Sequence, residues 1–199
     1  MIDYIDKDVG RILSVLNELN IEDNTIVMFS SDNGPHQEGG HQMEFFNSNG
    51  PLRGMKRDLY EGGLRVPFLV RWPGKVPAKK VSHRISGFQD IFPTILELAQ
   101  IESKHKIDGI SMVPTLLDKN GQKQHNYLYW EFEERGGSRA ILKGNWKGVR
   151  LNINKNPNAP IEIYNLKNDI AETTNLAATQ SKLVEEFKLV LKREHNSQK

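Results

Sequence analysis

The chain has 199 residues, of which 37% are hydrophobic and 26% are charged, a composition typical of a folded globular protein. The formal net charge is only +2, so the sequence offers no electrostatic footprint for binding nucleic acid. Cysteine is absent, which excludes disulfides, thiolate metal sites and a cysteine nucleophile within this chain.

The first half of the chain predicts an α/β arrangement. Apolar residues recur every three or four positions from Ile2 to Leu19, which predicts an amphipathic helix at the very start of the sequence. The run 25–29 is continuously apolar and partly β-branched, so we expect a strand buried on both faces, and a second such strand over 66–70. Asp90 is expected to cap a helix that carries Pro93 in its first turn.

The second half has a different texture, with short apolar and aromatic runs separated by Gly, Asn and Pro turns. Runs at 127–132, 140–142, 146–151 and 161–164 predict an antiparallel meander. A final helix is expected to place Leu183, Phe187, Val190 and Leu191 on one side. No run of about 18 apolar residues occurs, and the first residues lack the pattern of a signal peptide, so neither predicts membrane association.

A candidate metal site lies directly after the first predicted strand, at Asp32-Asn33-Gly34. Carboxylate and carboxamide oxygens are hard ligands that suit calcium or magnesium. The same three residues also form an ordinary turn sequence, since Asn and Gly tolerate positive φ. Calcium takes about six to eight oxygen ligands, and Asp32 with Asn33 supplies at most about three. A metal here therefore needs further carboxylates from elsewhere.

The long segment 35–65 carries the other candidate groups. Lys56 is a compact point charge able to bind a tetrahedral anion, although most surface lysines have no such role. His36 and His41 could donate to an anion or move a proton, and either could equally be a polar surface residue. Arg65 is expected to pair with Glu61, a structural interaction at least as plausible as a catalytic one.

Several consecutive motifs resemble those of the formylglycine-dependent sulfatases, members of the alkaline phosphatase superfamily. The resemblance runs from the first helix to the end of the chain, and the number of motifs in order makes it specific. The motifs are Ser31-Asp32-Asn33-Gly34-Pro35-His36, Asn49-Gly50-Pro51-Leu52-Arg53-Gly54-Met55-Lys56, Tyr60-Glu61-Gly62-Gly63-Leu64-Arg65-Val66-Pro67, Arg71-Trp72-Pro73-Gly74, Asp108-Gly109-Ile110-Ser111 and Tyr164-Asn165-Leu166-Lys167-Asn168-Asp169 with Glu172 and Asn175-Leu176-Ala177.

The resemblance implies a partial alkaline-phosphatase-like α/β sandwich over 1–105, with a small C-terminal α+β subdomain (an antiparallel sheet plus helix) over 106–199. It implies a Ca²⁺ ion bound by Asp32 and Asn33, with Lys56 as the catalytic lysine that contacts the sulfate. His36 corresponds to a position near the substrate. Met55 replaces a smaller residue of the family pattern, and Ile170 stands where proline often follows the aspartate.

The family nucleophile is absent from this chain. Formylglycine is made from a Cys/Ser-x-Pro-x-Arg motif, and no serine here is followed two positions later by proline. The resemblance therefore implies an upstream half that carries the formylglycine and the remaining calcium ligands. We expect this chain to be inactive alone, and to act on a sulfated small molecule or sulfated glycan together with that N-terminal half. A periplasmic or secreted location is expected for the complete enzyme.

Two alternatives remain open from the sequence. One is a phosphoesterase of the same superfamily, which would differ in its upstream nucleophile. The other is a non-catalytic fragment or binding module that holds sulfated sugars through the basic segment. An α/β sheet that lacks its partner elements exposes strand edges and apolar faces, so we expect the isolated chain to be marginally stable or to associate.

Overall fold

The computed structural model describes residues 2–197 and contains two compact units. The first unit combines Met1–Ser30 with Phe68–His125, and the second combines Ser31–Pro67 with Asn126–Lys199. The predicted division of the chain into 1–105 and 106–199 stays a prediction. In chain order, the helices and strands are α1 (Ile2–Glu18), β1 (Val27–Ser30), α2 (Met43–Phe46), α3 (Glu61–Leu64), β2 (Phe68–Arg71), α4 (Ile91–Leu98), α5 (Val113–Leu116), β3 (Leu128–Phe132), β4 (Ser138–Lys143), β5 (Trp146–Leu151), β6 (Ile161–Asn165) and α6 (Ser181–Ser197).

In the first unit, the amphipathic helix forms as predicted, but its apolar stripe is largely uncovered. Ile12 of α1 is 57% exposed and Leu19, just beyond the helix, is 62% exposed. Strands β1 and β2 pair antiparallel, with Phe29 opposite Leu69. The prediction that both strands are buried on two faces is wrong for this chain, since Leu69 is 58% exposed. More than half of this residue is accessible to solvent.

Asp90 has a different role from the predicted helix cap. Its side chain makes no capping hydrogen bond to α4 and is fully buried. The carboxylate instead accepts hydrogen bonds from the Ile110 N–H (2.8 Å), from Arg84 Nη1 (3.0 Å) and from His125 Nε2 (2.7 Å). Burial raises the pKa of Asp90, but these hydrogen bonds outweigh burial and leave the pKa below its usual value. The prediction of a cap was wrong because a buried carboxylate is better satisfied by several donors.

The second unit is built on a four-stranded antiparallel meander in the order β3-β4-β5-β6, as the spacing of apolar runs predicts. One face of this sheet, including Ile141 and Ile163, packs against Phe187 and Leu191 of α6, both fully buried. The opposite face, including Val149 and Tyr164, packs against Leu59 and Tyr60 of the long segment before α3 and at its start. Successive strand residues point to opposite faces, so the two layers use alternate positions. The sheet therefore supports the segment that carries the candidate site.

None of the helices within residues 2–197 is long and apolar enough to cross a bilayer. Several large apolar side chains of the first unit are uncovered, and Ile2, Tyr4, Phe92 and Ile101 are each more than half exposed. Exposed large apolar side chains favour association in water when they form a patch.

We expect the purified chain to self-associate or to melt at low temperature. Sedimentation velocity over a hundredfold range of concentration measures this directly, and Ile12→Glu, which places a charge in the middle of the exposed stripe, should reduce association. Arg11→Glu, a change at a neighbouring exposed position with no apolar side chain to remove, is the control. A monodisperse wild-type monomer with a sharp, cooperative melt would contradict this expectation.

Candidate active site

Asp32 and Asn33 follow Ser31, which is the first residue after β1 and the first of the second unit. Asp32 is exposed, and the described residues give its carboxylate no hydrogen-bond or ion-pair partner. Asn33 is half-buried, and its Nδ2 donates to the carbonyl oxygen of Gly34 (2.8 Å). Ser31 Oγ donates to the Asn33 carbonyl oxygen (2.8 Å), which fixes the turn. The turn therefore presents one free carboxylate and the Oδ1 of a restrained carboxamide.

The Asp-Asn-Gly turn is locked to the Glu-Gly-Gly segment by direct backbone contact. The N–H of Gly34 donates to the carbonyl oxygen of Gly63 (3.0 Å). A Cβ added at Gly34 would lie 1.8 Å from the carbonyl oxygen of Gly62, closer than any real contact. Only glycine permits this approach, which explains why the turn motif and the Glu-Gly-Gly motif occur together.

The same glycines also hold the segment that carries Lys56. Gly62 donates its N–H to the carbonyl oxygen of Arg53 (2.6 Å), and a Cβ at Gly63 would lie 2.1 Å from the Asp58 carbonyl oxygen. Lys56 itself donates its N–H to the carbonyl oxygen of Pro35 (2.8 Å). We call the backbone contacts among Gly34, Gly62, Gly63 and residues 53–58 the glycine junction. Through it, three motifs that are separate in sequence form one rigid site.

Lys56 is partly exposed, and its ammonium faces a carboxylate. Lys56 Nζ lies 3.5 Å from Glu38 Oε2, and Arg57 Nη1 donates to Glu38 Oε1. The hydrogen bond from Arg57 and the charges of Arg57 and Lys56 lower the pKa of Glu38. Two cations thus converge on one anionic group, an arrangement equally suited to a sulfate oxygen.

His36 has a defined tautomer in this site. Its Nδ1 accepts a hydrogen bond from the Glu38 N–H (2.9 Å), so in the neutral ring the hydrogen resides on Nε2. The half-buried ring can therefore donate from Nε2 to an anion. His41 stacks on Phe46, with ring centroids 5.3 Å apart, and its Nε2 contacts Ser48 Oγ (3.2 Å). His36 and Lys56 both contact Glu38, whereas His41 packs against Phe46.

Beneath the glycine junction, Arg53 ties the long segment to the sheet. Its Nη1 donates to Tyr164 Oη (2.9 Å) and to the carbonyl oxygen of Glu172 (2.9 Å), while its guanidinium stacks on the Tyr60 ring at 3.9 Å. Tyr60 and Tyr164 both donate to Glu162. Burial, with the bond to Glu162, raises the pKa of Tyr164 to about 12, so its hydroxyl stays protonated as a donor.

Glu61 has a stronger partner than the arginine that the sequence suggested. Arg65 Nη1 lies 3.6 Å from Glu61 Oε2, which confirms that pair, but Arg65 is mostly exposed. The fully buried Lys147 donates from Nζ to Glu61 Oε1 at 2.8 Å and lies 3.4 Å from Glu172 Oε1. Sequence reasoning missed Lys147, although its position two residues before the apolar Val149 in a strand signalled an inward-facing charge.

The oxygen atoms at Asp32 and Asn33 fit part of a calcium site. A free carboxylate beside a restrained carboxamide is the hard donor chemistry that calcium prefers. These two side chains provide too few oxygen atoms, and no group of three ligating side chains within residues 2–197 includes Asp32. That the remaining ligands come from outside this chain stays a prediction.

A different group of three potential ligands, Glu131, Glu133 and His195, joins the end of β3 to α6. Glu131 Oε1 already accepts from His195 Nδ1 (2.7 Å) and Arg139 Nε (3.2 Å), and its Oε2 accepts from Tyr129. Burial raises the pKa of Glu131, but hydrogen bonds from Tyr129 and Glu133 outweigh it and lower the pKa to about 2. The Arg139 cation and these satisfied oxygens make the group a structural anchor for α6.

The downstream motifs have structural roles. A Cβ at Gly109 would lie 1.8 Å from the Gln89 carbonyl oxygen. Because glycine has no Cβ, the chain approaches closely enough for the Ile110 N–H to donate to Asp90. In the last motif, the Asp169 carboxylate accepts hydrogen bonds from the N–H groups of Thr174 (2.8 Å) and Thr173 (2.9 Å). These two bonds are the main reason that the pKa of Asp169 is lowered. Within their own units, these motifs shape turns.

Comparison with known proteins identifies the family. Residues 1–101 match the family model described as Sulfatase, and residues 54–198 match the model described as N-sulphoglucosamine sulphohydrolase, C-terminal. The chain belongs to the sulfatase family. Its fold is the corresponding part of the alkaline-phosphatase-like α/β fold, as predicted.

Individual relatives support the same assignment. The chain is 43% identical over 121 residues to the human N-acetylgalactosamine-6-sulfatase, an alignment that covers 57% of this chain and 22% of that protein. It is 31% identical over 209 residues to the N-acetylgalactosamine-6-O-sulfatase of Bacteroides thetaiotaomicron, covering 94% of this chain and 39% of that protein. The crystal structure of Ps i-CgsB superposes with a TM-score of 0.80 at 28% identity, covering 99% of this chain and 41% of the other. The chain thus spans well under half the length of these relatives.

Proposed function

We propose that this chain forms the C-terminal part of a sulfatase that hydrolyses sulfate esters, and that it contributes Asp32, Asn33, His36 and Lys56 to the active site. The observation that carries the proposal is the glycine junction. It places a free carboxylate, a carboxamide, an oriented histidine and a lysine on one rigid framework. Such preorganised groups suit stabilisation of charge on a sulfate.

Asp32 and Asn33 would hold a Ca²⁺ ion together with ligands from the N-terminal half. Calcium bound there would withdraw electron density from the sulfate oxygens and so make the sulfur more electrophilic. Lys56 would donate a charge-assisted hydrogen bond to a second sulfate oxygen. That oxygen would replace the Glu38 carboxylate as the partner of Lys56 Nζ. Calcium and Lys56 would both stabilise negative charge on the sulfate oxygens, where the charge changes during ester cleavage.

His36 would donate from Nε2 to the substrate. Its Nδ1 is held by the Glu38 N–H, so the ring keeps one orientation and one neutral tautomer. In that state the ring can donate a hydrogen bond from Nε2 to a sulfate or leaving-group oxygen within reach. The Glu38 backbone, close to the two cations, therefore orients the histidine while its side chain neutralises them.

The proposed substrate is a sugar that carries a 6-O-sulfate, of the N-acetylgalactosamine type. This is supported by the activities for which the human and the bacterial relative are named. A periplasmic or secreted location of the complete enzyme remains part of the proposal, because extracellular sulfated glycans are the natural source of such sugars.

The test is a hybrid in which this chain replaces the matching segment of the Bacteroides thetaiotaomicron relative, assayed for sulfate release from N-acetylgalactosamine 6-sulfate. We expect turnover by the hybrid and none by the 199-residue chain alone. Asp32→Ala and Lys56→Ala should each lower kcat about 10²–10³-fold, the usual cost of losing one electrostatic stabiliser. Exposed residues provide matched controls, Asp6→Ala for the carboxylate and Lys167→Ala for the ammonium, and these should leave kcat unchanged.

Three results would contradict the proposal. The first is a folded hybrid without turnover while the parent relative is active, which would favour a non-catalytic module. The second is turnover of a phosphate ester in preference to the sulfate ester, which would favour the phosphoesterase alternative. The third is full activity of the 199-residue chain by itself.

A further inference from the structure

Among the described residues of the second unit, Lys147 is the most deeply buried cation. It lies in β5, its side chain is fully buried, and its Nζ contacts Glu61 Oε1 (2.8 Å) and Glu172 Oε1 (3.4 Å). A buried ammonium is strongly unfavourable unless it is paired, so these carboxylates hold it in place and it holds them. None of the three side chains belongs to the group that would contact substrate or metal.

Glu61 is fixed at both its side chain and its backbone. While Lys147 binds the carboxylate, the Glu61 N–H donates to Glu172 Oε2 (2.7 Å). Glu172 is fully buried, its pKa is raised by burial, and its Oε1 has no hydrogen-bond donor among the described residues. Arg65 adds a partial, exposed counter-charge 3.6 Å from Glu61. Lys147 is therefore the main positive charge that keeps two buried carboxylates together.

Glu61 immediately precedes the two glycines of the glycine junction. The Gly63 carbonyl oxygen accepts from the Gly34 N–H, and the Gly62 N–H donates to Arg53. The two backbones are in direct contact at Gly34, because a Cβ there would overlap the Gly62 carbonyl oxygen. A shift of Glu61 would thus move the turn that carries Asp32 and Asn33.

We infer that Lys147 is a positioning residue for the active site: by holding Glu61 against the sheet, it fixes the glycine junction and with it the calcium-binding turn and Lys56. The inference rests on the proposed function for its meaning in catalysis. Its structural content, that an ion pair in β5 controls the junction, stands independently and can be measured without turnover.

The experiment is amide hydrogen exchange of the 199-residue chain, read residue by residue by NMR. Lys147→Met keeps an apolar stem of similar length and removes the charge. Exchange at Gly34, Gly62 and Lys56 should then rise about tenfold or more, while Val149 and Ile163 in the sheet change much less, as expected for local opening. Lys143→Met removes the exposed ion pair with Glu186 and should change none of the three.

Glu61→Gln is the second variant, which decides the matter if Lys147→Met does not fold. It keeps the size of the side chain and weakens the pair without leaving an extra buried charge, so the same three amides should respond. A uniform rise over the sheet and the junction, no rise in either variant, or unprotected junction amides in the wild type would overturn the inference. Because the readout is exchange, failure here is distinct from absence of sulfatase activity in the hybrid.

Discussion

Phe187→Ala is expected to lower the free energy of unfolding of the second unit by about 3–5 kcal/mol. Phe187 is fully buried in α6, among Ile141, Ile161 and Ile163 of the sheet. Removing the ring loses its buried surface and leaves a cavity that the antiparallel sheet cannot readily close. A loss of this size is comparable to the whole stability of a marginal domain.

Urea unfolding followed by tryptophan fluorescence measures this effect, since Trp130 and Trp146 lie in β3 and β5. Leu189→Ala is the matched control, because Leu189 lies in the same helix and is 71% exposed. It should change the free energy of unfolding by less than about 0.5 kcal/mol. Equal losses in the two variants would mean that α6 does not cover the sheet as described.

Gly34→Ala should have the second large effect, a loss of about 3 kcal/mol or more of stability together with displacement of the turn that carries Asp32 and Asn33. The added Cβ would lie 1.8 Å from the Gly62 carbonyl oxygen and 3.1 Å from the Gly63 Cα, so backbone must move. Gly34 is not among the residues with positive φ, so the penalty comes from this overlap and not from strain in the turn.

Denaturant unfolding would measure the loss of stability in Gly34→Ala. Hydrogen exchange at the amide of residue 34, which donates to the Gly63 carbonyl oxygen in the wild type, would report the displaced turn. Gly10→Ala is the control, since a Cβ at Gly10, within α1, meets nothing within 4 Å. Alanine should stabilise that helix by about 0.5–1 kcal/mol relative to glycine. A Gly34→Ala variant as stable as the wild type would show that the glycine junction is looser than the structure indicates.

The sequence by itself determined the local elements and the family. The period of apolar residues gave the terminal helices and the four-stranded meander, because side-chain periodicity follows directly from helix and strand geometry. The ordered motifs indicated the sulfatase family, which the comparisons confirm. The assignments of Asp32, Asn33, His36 and Lys56 to the site came from the same motifs and stay predictions that the variants above test.

The tertiary structure decided which groups support the site and how. The sequence paired Glu61 with Arg65 because the two are four residues apart, whereas the dominant partner, Lys147, is 86 positions away. It also assigned Asp90 to a local cap, although the chain folds the Ile110 N–H and His125 onto that carboxylate. Both differences have one physical cause. Local pattern specifies which face of an element is apolar, but a buried charge selects its partner by distance in space, and only the folded chain brings that partner near.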